Sequence, residues 1–221
     1  MRRGQAANFD RLARVYAPLE RCSFGRLLAR RRACFLGDSR VASARRVLIL
    51  GDGDGRFTAA LLERYPALEV SAVDASAAML GELRRRVARR CPHAELALHH
   101  ADARAWTPPR RGFDLVVTHF FFDCFTTRDL GPMVARIAPG LAPDARWLVS
   151  EFAIPPRSRA RALAARLLVR ALYLAFWAMT GLDVKRLPDY QGALASAGFT
   201  CARAETGLGG ALRSELWQRS T

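Results

Sequence analysis

Between residues 47 and 152 the chain alternates short apolar runs with segments of helical spacing, and this rhythm constrains the fold more than any other feature. VLIL (47–50) is wholly apolar, as a parallel strand covered on both faces must be. RFTAALLERY (56–65) then carries helical spacing at Phe57, Ala60, Leu61 and Tyr65. LEVSAVD (68–74) reads as a second strand, and SAAMLGELRRRVARR (76–90) as a helix with Ser76 as its N-cap. ELALHH (95–100), FDLVVTHF (113–120) and RWLVSEF (146–152) read as three more strands, with a helix over DLGPMVARIA (129–138). Strands alternating with helices predict an α/β fold with a doubly wound, Rossmann-like parallel sheet.

The flanks depart from the rhythm. Residues 8–37 space their apolar positions as two helices joined near Pro18. After the fifth strand, residues 157–181 form a long helical segment, and PDYQGALASAGF (188–199) a helix ending at Gly198. TCARAET (200–206) and ALRSELWQR (211–219), joined through a glycine turn, read as antiparallel strands. The expectation is a seven-stranded sheet with an antiparallel last strand in one domain. Residues 1–45 form an N-terminal helical cap, 46–152 the ligand-binding core, and 153–221 the helical insert and final strands.

Composition excludes some function classes. With 51% apolar residues the chain has a core to bury. Its five cysteines, Cys22, Cys34, Cys91, Cys124 and Cys201, are scattered and form no C-x-x-C pair. That excludes a disulfide framework or zinc site and fits a reducing cytoplasm, so no metal is expected. The N-terminus has basic residues but no apolar h-region, so a secretory signal is not expected. The net charge of +15 resembles a nucleic-acid footprint, yet Lys185 is the sole lysine among 35 basic residues and the arginines are spread along the chain. A nucleic-acid partner is therefore not expected; an anionic membrane surface or an anionic substrate accounts for the charge equally well.

The loop after the first strand, Gly51-Asp-Gly-Asp-Gly55, has the place of a nucleotide loop but neither the P-loop nor the G-x-G-x-x-G pattern. A phosphate within a few ångströms of Asp52 and Asp54 would be repelled by roughly 1 kcal/mol or more per pair. A cationic ligand without phosphate would suffer no such penalty, and S-adenosylmethionine is one. Its ribose needs an acid at the end of the second strand, where Asp74 stands at about the 20-residue spacing of nucleotide-binding units. HHADARAW offers Asp102 for the adenine, or as a cap for the following turn. A calcium loop begins in the same way, but its later ligands are absent.

In these segments the chain resembles the class I S-adenosylmethionine-dependent methyltransferases over roughly residues 47–152. VLILGDGDG is similar to the family's glycine motif, VSAVD to its ribose-binding acid, HHADA to its adenine-binding segment and FDLVVTHFF to its fourth-strand motif. NFDRLARVY and the insert after the fifth strand resemble the ubiquinone/menaquinone C-methyltransferase type. The resemblance implies cofactor contacts from Gly51, Asp52, Gly53, Asp54, Gly55, Asp74, Ala75, Asp102, Ala103 and Thr118. One departure stands out. The family often places an acid two residues before the first glycine, and here Ile49 occupies that position, leaving Asp52 or Asp54 to replace it.

The fourth-strand end, VVTHFFFDCF (116–125), would face the transferable methyl group. His119 is a candidate general base, its alternative being a packed histidine, and Asp123 a second catalytic candidate that would cap or orient. Phe122, with Phe9 and Tyr16 from the N-terminal helices, would line the acceptor. Phe120, Phe121 and Phe122 cannot all face one way, so at least one belongs to the core. In 157–181, Arg159, Arg166 and Arg170 share a helical face, while Leu163, Leu167, Ala171, Leu174 and Ala178 line another. That segment packs on the sheet, covers an apolar acceptor, or lies on a membrane surface.

The expected function is methyl transfer from S-adenosylmethionine to a small apolar or aromatic acceptor, in the cytoplasm or at the inner membrane face. RNA or protein methylation, and a module that binds the cofactor without catalysis, are the alternatives.

Overall fold

The computed structural model describes residues 25–109, 112–155, 159, 162–167, 169–171 and 186–219. The expectations for Phe9 and Tyr16 lie outside these. Helices α1 (Gly25–Arg32) and α2 (Ser39–Ala42) precede the alternating core. The core runs β1 (Arg46–Leu50), α3 (Arg56–Arg64), β2 (Glu69–Asp74), α4 (Ala77–Arg90), β3 (Glu95–His100), β4 (Phe113–His119), α5 (Thr127–Ile137) and β5 (Leu141–Phe152). Then follow α6 (Tyr190–Ser196), β6 (Phe199–Gly207) and β7 (Leu212–Arg219). The strands form one seven-stranded sheet in the order β3-β2-β1-β4-β5-β7-β6, with β7 antiparallel to both its neighbours.

Side-chain alternation along the central strands builds a core on each face. Leu48, Leu50, Val116, Trp147 and Val149 face α5 and α6, meeting Leu130, Met133, Tyr190 and Leu194. Val47, Ile49, Leu115, Val117 and Leu148 face the other way, onto Phe57, Leu61, Leu62 and Leu83 of α3 and α4. On that second face the Ser150 and Ser214 hydroxyls, 3.1 Å apart, both donate to the carbonyl of Arg31 and tie the end of α1 to the sheet.

Boundaries shift where local chemistry was hidden. Helix α5 starts two residues before the predicted position because Thr126 and Asp129 form a capping box, with Thr126 N–H 3.0 Å from Asp129 Oδ2. β5 starts at Leu141 rather than 146, through a register shift that pairs Phe113 with Leu141 and Leu115 with Arg146. Helix α6 stops at Ser196, and Gly198 at φ +83° makes the turn into β6.

The described part of 157–181 is helical, with Ala165 and Val169 buried. The predicted apolar stripe is not the buried one: Leu163 and Leu167 are 59% and 60% exposed. The smaller residues fit against the protein, and the leucines two positions either side of Ala165 turn outward. No helix among the described residues is long and apolar enough to cross a membrane.

Candidate functional site

β1 pairs with β2 on one side and with β4 on the other, and the chain reverses its direction of travel across the sheet between them. Ligands of open α/β sheets bind at such a crevice, beyond the carboxyl ends of the strands. Gly51 leaves β1 there, and His119 ends β4 beside it.

Gly51, Gly53 and Gly55 all have positive φ (67°, 61° and 76°), which glycine adopts without steric penalty. Two of them are closely approached. A Cβ on Gly51 would lie 2.3 Å from the Phe121 ring, and one on Gly55 2.7 Å from Leu83 Cα. Gly53 faces open space, its nearest neighbour being Met79 Sδ at 4.0 Å. The middle of the loop is thus free to meet a ligand.

The two loop aspartates have different lives. Asp54 is held in ion pairs, its Oδ2 2.8 Å from Arg56 Nε and 2.7 Å from Arg86 Nη2. Asp52 instead turns back to α3, where its Oδ2 accepts Thr58 N–H at 2.8 Å and the Thr58 hydroxyl at 2.6 Å. Among the described residues no arginine lies at hydrogen-bond distance from it, and burial raises its carboxyl above the usual range. Ile49 is 1% exposed among Phe57 and Val117, so an acid there would be buried in hydrocarbon. Asp52, reaching Thr58 beside Phe57 in α3, lies on the same face of the sheet.

Asp74 ends β2 and accepts Ser76 N–H at 2.8 Å. Burial lifts its carboxyl to about 6, the Asp52 charge adding to the rise while the Ser76 and Gly53 N–H groups oppose it. The Ala75 carbonyl meets His100 Nε2 at 3.0 Å. Asp102 is engaged locally, its Oδ1 accepting Arg104 N–H at 2.9 Å and Nε–H at 3.0 Å, while its carbonyl accepts the amides of Ala105 and Trp106. That is the turn-capping alternative. Ala103 beside it is buried.

Two predicted contacts point into the core. Thr118 is fully buried and its hydroxyl accepts Trp147 Nε1–H at 2.9 Å. Phe122 is fully buried and stacks on Tyr190, with centroids 5.6 Å apart. Strand alternation turns Thr118 inward, and the short helical turn Phe122–Cys124 does the same for Phe122. Of the three phenylalanines, Phe122 is the core member.

His119 is 6% exposed, edge-on to Phe57 at 4.6 Å, and neither ring nitrogen has a hydrogen-bond partner among the described residues. Burial, with the nearby Arg32 charge, pushes its pKa down to about 3. The ring is therefore neutral at physiological pH and a poor proton acceptor. Asp123 is buried, receives the Cys124 thiol at 3.6 Å and is lifted by burial to about 6.

One residue escaped the reading of the sequence. Glu151, 2% exposed near the end of β5, has its carboxyl raised well above the usual range by burial and by the Asp123 charge. The signal was a lone acid in the apolar run RWLVSEF. Four buried or half-buried acids, Asp52, Asp74, Asp123 and Glu151, thus gather at neighbouring strand ends. Among the described residues, no group of three His, Cys, Asp or Glu would hold a metal ion.

Residues 47–144 match the family described as "Methyltransferase domain". No protein of curated function matches in sequence. Among solved structures, the chain is similar to the mitomycin 7-O-methyltransferase, with TM-score 0.63 and 20% identity over 85% of this chain and 55% of that one. It is also similar to an O-methyltransferase family protein from Burkholderia thailandensis, with TM-score 0.68 and 18% identity over 95% and 57%. A TehB-like S-adenosylmethionine-dependent methyltransferase from Corynebacterium glutamicum gives TM-score 0.60 and 15% identity over 94% and 98%. The chain spans little more than half the length of the first two and nearly all of the third.

Proposed function

We propose that the chain is an S-adenosylmethionine-dependent methyltransferase that methylates a small apolar or aromatic acceptor, a reading that the methyltransferase-domain match and the fold support. The observation that carries this reading is the electrostatics of the strand ends. The Asp52 charge raises the proton affinity of Asp74 and the Asp123 charge that of Glu151, and nearby Cys124 feels Asp74, Asp123 and Glu151 alike. A phosphate would be repelled there, while a ligand bearing a sulfonium and an ammonium group would relieve the repulsion.

S-adenosylmethionine supplies a methyl group activated on a sulfonium sulfur. Asp74 would accept the ribose hydroxyls and Gly53 give the close backbone approach. Asp52, without an arginine at hydrogen-bond distance among the described residues, would take the amino group in place of an acid at position 49. Ala75, Asp102 and Ala103 would border the adenine. Asp123 would receive the acceptor's proton, its raised pKa lying near the working range of a general base. His119 would act as a neutral hydrogen-bond partner of the ligand. Alignment supplies most of the rate in such a displacement.

Oxygen is the acceptor atom that the neighbours' names favour. The narrower likeness to quinone C-methyltransferases rests largely on NFDRLARVY, outside the described residues, and stays part of this proposal. A second element is contact with an anionic membrane. It is favoured by Leu163 and Leu167, exposed on the helical stretch that carries the exposed Arg159, Arg166 and Arg170. Sedimentation with phosphatidylglycerol vesicles at low salt tests it, and no co-sedimentation removes it.

The main test is calorimetry with S-adenosylhomocysteine, followed by transfer of labelled methyl into small phenols and quinols and into bulk RNA. Binding with label in the small acceptors is expected. Absence of binding, or label in RNA alone, overturns the reading.

A further inference from the structure

Glu151 Oε1 accepts two backbone amides, those of Phe121 at 2.9 Å and Phe122 at 2.7 Å. Its second oxygen, Oε2, is buried with no hydrogen-bond partner among the described residues. Both amides belong to the turn that leaves β4, which begins at Phe120 with φ +53°, a left-handed conformation unusual for a phenylalanine. The next side chain, Phe121, lays its ring against Gly51. Two residues further on, the same turn carries Asp123. One carboxyl group thus ties β5 to the β4 exit and, through the Phe121 ring, to the glycine loop.

We propose that Glu151 is a positioning residue of the methyl-transfer site: by accepting the Phe121 and Phe122 amides it fixes both the wall that Phe121 makes over Gly51 and the place of Asp123. The inference rests on the reading that the glycine loop holds S-adenosylmethionine. Removing the acceptor leaves two amides and a strained turn without their anchor, so the turn should loosen and the cofactor side of the loop lose its wall. The charge is not what the tether needs. A glutamine in the same rotamer keeps an oxygen for both N–H groups.

The test compares Glu151→Gln with Glu151→Ala in the ligand-free chain and with S-adenosylhomocysteine. Amide exchange by NMR reads the tether directly. Phe121 and Phe122 should stay protected in the wild type and in Glu151→Gln, and exchange at least about tenfold faster in Glu151→Ala, as the loss of a buried hydrogen-bond acceptor implies. Affinity for S-adenosylhomocysteine should follow the same order, about tenfold weaker in Glu151→Ala and rescued in Glu151→Gln. Phe121→Ala should reproduce the affinity loss with Glu151 intact. Should Glu151→Ala fail to fold, Glu151→Met, similar in volume and lacking the acceptor, takes its place. Unchanged affinity despite fast exchange in the variant lacking the acceptor overturns the proposal. So does a Glu151→Gln variant with protected amides but affinity as poor as the acceptor-free variant, which would assign the carboxylate to the ligand itself. A wild type that does not bind at all overturns the cofactor reading instead, while the exchange comparison still judges the tether.

Discussion

Arg86 of α4 grips Asp54 twice, its Nη2 2.7 Å from Asp54 Oδ2 and its Nε donating to the Asp54 carbonyl at 2.8 Å. This clamp sets Asp54 apart as a structural residue and leaves Asp52 as the proposed ligand contact. Asp54→Asn should therefore lower stability by about 1–2 kcal/mol, the range for a partly buried charged hydrogen bond, with little effect on cofactor affinity. Asp52→Asn keeps an oxygen for Thr58 and should leave the urea midpoint nearly unchanged, while weakening S-adenosylhomocysteine binding about tenfold or more. Equal losses of affinity in both variants would show that the division is wrong.

Asp74 predicts opposite pH slopes for stability and for binding. Its folded carboxyl, raised by burial to about 6 from the 3.8 of a free carboxyl, binds its proton more tightly than the unfolded one. Its contribution to ligand-free stability is complete below pH ~4 and is lost as pH rises through about 6. A ribose diol needs the ionised form as acceptor, so cofactor affinity should rise over the same window. Denaturation midpoints and S-adenosylhomocysteine titrations from pH 4.5 to 7.5 measure both trends. In Asp74→Asn both should flatten, and a wild-type affinity that is constant across the window would remove Asp74 from the site.

For His119 the structure predicts a neutral ring. With its pKa pushed down to about 3 by burial, the imidazole does not titrate near neutral pH. His119→Asn should lower the rate by less than about 100-fold, the lower bound of general acid–base catalysis, and leave the pH profile between 6 and 9 unchanged in shape. Because both ring nitrogens lack partners among the described residues, His119→Leu should stabilise the ligand-free protein by about 1 kcal/mol while weakening ligand binding. A profile that loses an acidic limb on substitution would restore the base.

The frame of the site was legible because strand ends are legible. VLIL, VSAVD and FDLVVTH carry buried parallel strands, and Gly51, Asp74 and His119 lie at or beside their carboxyl ends. What could not be read was direction within those ends. Period-two alternation turns Thr118 inward to Trp147, and the helical turn after β4 does the same with Phe122; neither fact is visible without the neighbouring strand. Asp54 and Asp52 are identical in sequence terms, and their partners distinguish them: Arg56 and the distant Arg86 hold Asp54, while Thr58 holds Asp52. Glu151 was missed for a related reason: its partners are amides, which leave no trace in side-chain identity.

The glycine loop yields a last prediction, in which the same substitution has different consequences at two positions. Gly51→Ala and Gly55→Ala each place a Cβ at positive φ, costing about 1–2 kcal/mol from backbone strain alone. Beyond that, the new Cβ at 51 meets the ring of Phe121 at 2.3 Å, the outer part of a side chain in a turn. At 55 it meets Leu83 Cα at 2.7 Å, which is backbone within α4. Phe121→Ala should therefore recover part of the stability lost in Gly51→Ala, leaving the strain cost. Leu83→Ala should recover nothing in Gly55→Ala, because the obstructing Cα remains and a buried leucine is lost besides, itself worth about 2–5 kcal/mol. Thermal denaturation of the four single variants and two doubles gives both coupling energies. A positive rescue at 55, or none at 51, would mean that the loop and α4 move apart more readily than this packing allows.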